Sequence, residues 1–85
     1  MEEIVNKYNI NLLKTINRDN FYKIINFLEK ENCSFIEDIV SDYFDVFSIE
    51  YDLFIEKYNK LNQNYNGKYL MLVNEDMELL EQLFD

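Results

Sequence analysis

Between residues 34 and 47 the chain reads SFIEDIVSDYFDVF, and its apolar side chains recur at helical spacing. Ile36, Ile39, Val40, Tyr43 and Phe47 fall on one helical face. Glu37, Asp38, Ser41, Asp42 and Asp45 fall on the opposite one. Ser34 followed by Glu37 matches a capping box, in which each side chain bonds the other's free backbone N–H. The stretch predicts an amphipathic helix with an apolar and an acidic face.

The same spacing extends in both directions. Upstream, Phe21, Ile24, Ile25 and Leu28 form an apolar stripe that ends near Asn32, with Asn17 or Asp19 as the N-cap. Downstream, Ser48 is the expected cap of a further helix, and Glu50 and Asp52 sit well for its dipole. Tyr51, Phe54, Tyr58, Leu61 and Tyr65 follow at spacings of three and four, and Gly67 suits a left-handed stop. A last helix is expected over residues 68–84, where Leu70, Val73, Met77, Leu80 and Phe84 repeat and Leu72, Leu79 and Leu83 widen the arc. Asp76 conflicts with that arc if the helix is continuous, so a fresh start capped by Asn74 is the alternative. A first helix over residues 2–16 carries Ile4, Val5, Tyr8, Leu12 and Ile16, with Asn9, Ile10 and Asn11 against its pattern.

Turn chemistry agrees with an all-α chain. There is no Pro and one Gly, and Asn66-Gly67 is the one hairpin-type dipeptide. Its flanks do not alternate with period two. The expected architecture is a compact single domain over residues 1–85, a bundle of four to five short helices. Such helices are too short to persist alone and require packing. A length of 85 residues allows about one core.

Composition removes several function classes. The hydrophobic fraction of 48% excludes a disordered tail despite a net charge of −9. No run approaches the 18 or so apolar residues of a membrane span, and residues 1–16 lack the pattern of a secretory signal. A single cysteine, Cys33, forms no internal disulfide, which fits a cytoplasmic setting. Twelve Asn, nine Ile and no Ala suggest an AT-rich bacterial or phage genome.

Candidate chemistries fail on named residues. The chain has no His, the usual general base and metal ligand. Cys33 precedes a helix start, where a thiol pKa can fall, yet no partner for it is evident and it reads as a packing residue. Asn62, Asn64, Asn66 and Gly67 imitate the opening of a calcium loop, but the twelfth position, which requires Glu, is Val73. The carrier-protein motif Asp-Ser-Leu is missing, and Ser41 lies within Val40-Ser41-Asp42 inside a helix. We expect no enzyme, no catalytic residue, no metal and no cofactor.

Charge is the informative feature. No Lys or Arg occurs between Glu31 and Glu56. An acidic surface repels phosphate backbones and anionic lipids and attracts basic proteins. The expected partner-binding residues are Glu37, Asp38, Asp42 and Asp45, extended by Asp52 and Glu56. Leu53, an apolar residue on the polar side between Lys57 and Lys60, is expected to join them. In size and charge the chain is similar to small phage inhibitors, among them anti-CRISPR proteins, and to toxin-immunity proteins. That similarity carries no residues across. It implies a protein partner with a basic surface, without direct nucleic-acid or membrane contact. The alternative is a structural or adaptor protein that dimerises through its apolar last helix.

Overall fold

The computed structural model describes residues 17–84. The fold is all-α: the described residues hold α1 (Arg18–Lys30), α2 (Ile36–Asp42), α3 (Tyr51–Asn64) and α4 (Tyr69–Glu75). Two 3₁₀ segments, Phe44–Ser48 and Met77–Phe84, follow α2 and α4. The helix expected over residues 2–16 lies outside the described residues. The chain divides into two units at the boundary between Ser48 and Ile49.

In the first unit, Asn17 caps α1, its Oδ1 accepting the Asn20 backbone N–H at 3.1 Å. Asp19 and Lys30 stand at the ends of α1 that the helix dipole favours. The expected stripe of Phe21, Ile24, Ile25 and Leu28 is buried, joined by Tyr22. α1 ends in a Schellman motif: Cys33 N–H donates to the Leu28 carbonyl at 3.0 Å and Asn32 N–H to the Glu29 carbonyl at 3.1 Å. Asn32 takes the left-handed conformation, φ 60°, that this motif demands. In a chain with one glycine, asparagine supplies that conformation, because its short polar side chain tolerates it.

The capping box does not form. Phe35, itself buried, is the N-cap of α2, and no side-chain hydrogen bond caps that helix. Packing of the Phe35 ring sets the start of the helix one residue later than Ser34 would. Nor does α2 run through to Phe47. It closes at Tyr43 (φ −133°, ψ 42°), and Phe44–Ser48 continues as a 3₁₀ turn. Asp45 therefore lies on that turn rather than on the face that carries Glu37, Asp38 and Asp42. The break lets Phe47 reach Phe21, with ring centroids 4.8 Å apart, while Phe44 lies 6.1 Å from Phe21 and 5.8 Å from Phe47. Asn20 Nδ2 donates to the Phe47 carbonyl at 3.0 Å and ties the start of α1 to this turn.

In the second unit, Glu50 rather than Ser48 is the N-cap of α3, again without a side-chain cap. Ser48 Oγ instead donates back to the Asp45 carbonyl at 2.6 Å within the preceding turn. Phe54 and Tyr58 form the buried line of α3, while Tyr51, Leu61 and Tyr65 are half-buried. A second Schellman motif ends the helix. Gly67 N–H donates to the Asn62 carbonyl at 2.7 Å and Asn66 N–H to the Gln63 carbonyl at 3.2 Å. Both Asn66 (φ 59°) and Gly67 (φ 79°) are left-handed. Asn62 also joins the turn to α4, its Oδ1 accepting the Tyr69 N–H at 3.2 Å, where Lys68 offers no side-chain cap.

The continuous last helix is not observed, and the break is at Asp76, not Asn74. Asp76 is extended (φ −142°, ψ 93°) and ends α4. Its Oδ1 then accepts the Glu78 N–H at 3.2 Å and its carbonyl the Leu79 N–H at 3.1 Å, opening the second 3₁₀ segment. A carboxylate that conflicts with a continuous apolar arc is thus the residue that interrupts it. Three residues per turn replace 3.6 thereafter, so the inward row becomes Met77, Leu80 and Leu83. Leu80 and Leu83 are buried, and Phe84, which an α-helix would have turned inward, is 47% exposed.

Candidate functional site

The expected partner-binding carboxylates are all on the surface. Glu37 and Asp38 occupy the first turn of α2, Asp42 its last residue, and Asp45 the 3₁₀ turn that follows. All four are exposed. The first two lie where the helix dipole welcomes them. Asp42 does not, because the carbonyl end of a helix repels a carboxylate, and no basic residue in that turn compensates. Asp52 and Glu56 are exposed on α3 in the second unit.

Leu53 is 44% exposed on α3, as its wheel position predicts. It lines a surface groove of about 410 Å³. Glu56, Lys57, Lys60, Leu61 and Asn64 continue the lining along α3, and Gln82 contributes from the second 3₁₀ segment. The groove thus unites two expected residues, Leu53 and Glu56, with the lysines that flank Leu53 in sequence. Its character is amphoteric rather than acidic. Leu61, read from spacing as a core residue, is half-buried on this wall. Gln82 carried no signal: its approach to α3 depends on the break at Asp76 and on the 3₁₀ geometry beyond it. Tyr65 fixes it there, its hydroxyl donating to Gln82 Oε1 at 3.1 Å.

The same unit holds an aromatic run. Phe54 stacks near Tyr58 (6.2 Å), Tyr58 meets Tyr69 edge-on (5.9 Å), and Tyr69 stacks near Tyr65 (5.7 Å). The Tyr69 hydroxyl donates to the Leu79 carbonyl at 2.8 Å. Burial, with smaller contributions from the neighbouring Tyr65 and Tyr58, pushes that phenol well above its ordinary range. Such a group stays protonated and serves as a fixed donor.

Cys33 is half-buried, and burial raises its thiol pKa while a backbone hydrogen bond at Phe35 lowers it by less. That combination makes a poor nucleophile at neutral pH. Of the residues that imitate a calcium loop, Asn62 has its side-chain oxygen on the Tyr69 N–H. Among the described residues no group of three Cys, Asp or Glu is placed to hold a metal ion, and no helix is long and apolar enough to cross a membrane.

No protein-family model, no curated protein and no solved structure matches the chain.

Proposed function

We propose that this chain is a non-enzymatic binding protein whose exposed carboxylates engage a basic surface on another protein. The fitting partner is a nucleic-acid-handling enzyme or a toxin, whose basic site would be blocked by charge and by bulk. The observation that supports this most is Asp42. An acid at the carbonyl end of α2, four residues from Asp38, costs stability twice over, through the dipole and through like-charge repulsion. A solvated surface has no need of that cost, whereas a surface that presents negative charge to a partner does. Asp38 and Asp45 extend the charge to either side in the same unit.

The test is a tagged pull-down from a bacterial lysate, eluted in steps of rising salt, followed by affinity measurement on the identified target. Charge reversal at Asp38→Lys, Asp42→Lys and Asp45→Lys is expected to abolish binding while circular dichroism retains its helical signal. Unchanged affinity in the triple variant would overturn the reading.

A second reading is self-association through the last segment. It is favoured by Met71, 62% exposed on α4, and by Phe84, 47% exposed beyond it. Large apolar side chains left in water on adjacent elements are the usual mark of a contact surface when they form a patch.

A further inference from the structure

The groove on α3 and the outward row of the second 3₁₀ segment are chemical complements. An α-helix rises 1.5 Å per residue, so Leu53, Lys57 and Lys60 lie along α3 at intervals of about 6 and 4.5 Å. In a 3₁₀ helix residues three apart eclipse and rise about 2 Å each. Glu78, Glu81 and Phe84 therefore form one row with intervals of about 6 Å, and all three are exposed. One row offers an apolar residue and two lysines, Lys60 exposed and Lys57 half-buried with an interaction of its own inside the chain. The other offers two carboxylates and an aromatic ring. Set antiparallel, Phe84 meets Leu53, Glu81 meets Lys57 and Glu78 meets Lys60, with a mismatch of only about 1.5 Å along the axis.

We propose that a second copy of this chain lays its Glu78–Glu81–Phe84 row antiparallel against the Leu53–Lys57–Lys60 edge of the groove. The inference rests on the self-association reading and names its surface. Both halves belong to the second unit, and Gln82, beside Glu81 in sequence, itself lines the groove. A two-fold axis requires such a self-complementary patch and repeats the contact twice. The lysines matter because the chain carries a net charge of −9. Two such chains repel each other overall, and Lys57 and Lys60 are two of the three bases after residue 31. A contact that includes them offsets part of that repulsion.

Sedimentation equilibrium of the full chain is the measurement. The native protein is expected to dimerise. The pair Lys57→Glu and Lys60→Glu should weaken the dimer by about tenfold, and so should Glu78→Lys with Glu81→Lys. The second pair makes the chain less acidic, so relief of general repulsion would tighten the dimer instead, and that result overturns the inference. All four changes together keep the net charge at −9 and should restore the native constant. A dimer indifferent to both pairs, or not rescued by the four, overturns the groove contact and leaves self-association standing. A monomer at every concentration overturns both. Helicity is checked for each variant. Where a charge variant loses it, Phe84→Ser takes its place, and a dimer constant unmoved by that change overturns the inference equally.

Discussion

The Tyr69 hydroxyl reaches across the break at Asp76 to the Leu79 carbonyl, 2.8 Å away. It thereby holds two short helical pieces together as one packed element. The ring that carries it is fully buried. Tyr69→Phe removes the donor and leaves the carbonyl short of a partner, so unfolding in urea should show a loss of about 1–2 kcal/mol. The pH dependence follows from the raised pKa of the phenol. A group that ionises less readily folded than unfolded gives stability that is complete below its unfolded value, about pH 10, and is lost as pH rises above it. The native chain should lose stability above about pH 10 more steeply than Tyr69→Phe does. Parallel curves for the two would show that Tyr69 is not the titrating group.

The 3₁₀ assignment makes a contrast between neighbours. Leu83 is 1% exposed and Phe84 47%. Leu83→Ala should cost about 2–4 kcal/mol through lost burial and an unfilled space, and Phe84→Ala less than about 0.5 kcal/mol. The reverse order in thermal or urea unfolding would return the segment to α-helical geometry.

Asn62 serves two bonds from one residue, its backbone carbonyl accepting from Gly67 and its side chain from Tyr69. Asn62→Ala removes the second and leaves α4 uncapped, at an expected cost of about 1 kcal/mol. Gly67→Ala is expected to cost about 1 kcal/mol for a different reason. A methyl group there meets nothing within 4 Å, but φ is +79°. Asn66→Val, β-branched at φ 59°, should cost about 1–2 kcal/mol. A Gly67→Ala variant as stable as the native chain would show that the turn relaxes.

Asp42→Asn should stabilise the fold by about 0.3–1 kcal/mol at low salt, because it relieves both the dipole and the repulsion from Asp38. The gain should shrink as salt is added. Partner affinity should fall in the same variant. A stabilised protein that binds undiminished would separate Asp42 from the interface.

Legibility differed along the chain with the range of the interaction involved. α1 was readable because its cap, stripe and terminal Asn32 are local and agree. Gly67 reads as a left-handed stop, and the fold spreads that role over Asn66 as well. Ser34–Glu37 was a valid local signal, but burial of the Phe35 ring outweighed a cap worth about 1 kcal/mol. The break at Tyr43 follows from Phe47 meeting Phe21, a contact across 25 intervening positions that no window of spacing contains. The last segment misled because Leu80 satisfies both periods, and only the Leu83–Phe84 pair tells three from 3.6. At the candidate site the exposure of Leu53 and of all six acids was readable from the wheel. The groove was not, since Gln82 reaches it only through that unexpected geometry.

The Asn66-Gly67 turn also carries a chemical consequence. Asparagine before glycine is prone to deamidation: the glycine backbone nitrogen attacks the asparagine side-chain carbonyl, ammonia leaves, and water opens the ring to a carboxylate. Here the Gly67 N–H is held by the Asn62 carbonyl at 2.7 Å, so the attack requires the turn to open first. Asn66 should age more slowly in the folded chain than in urea, and equal rates by peptide mapping would contradict this. The fraction of chains deamidated at Asn66 then acts as a clock on the opening of this turn, and each converted chain carries one more negative charge at the end of the lysine-bearing α3.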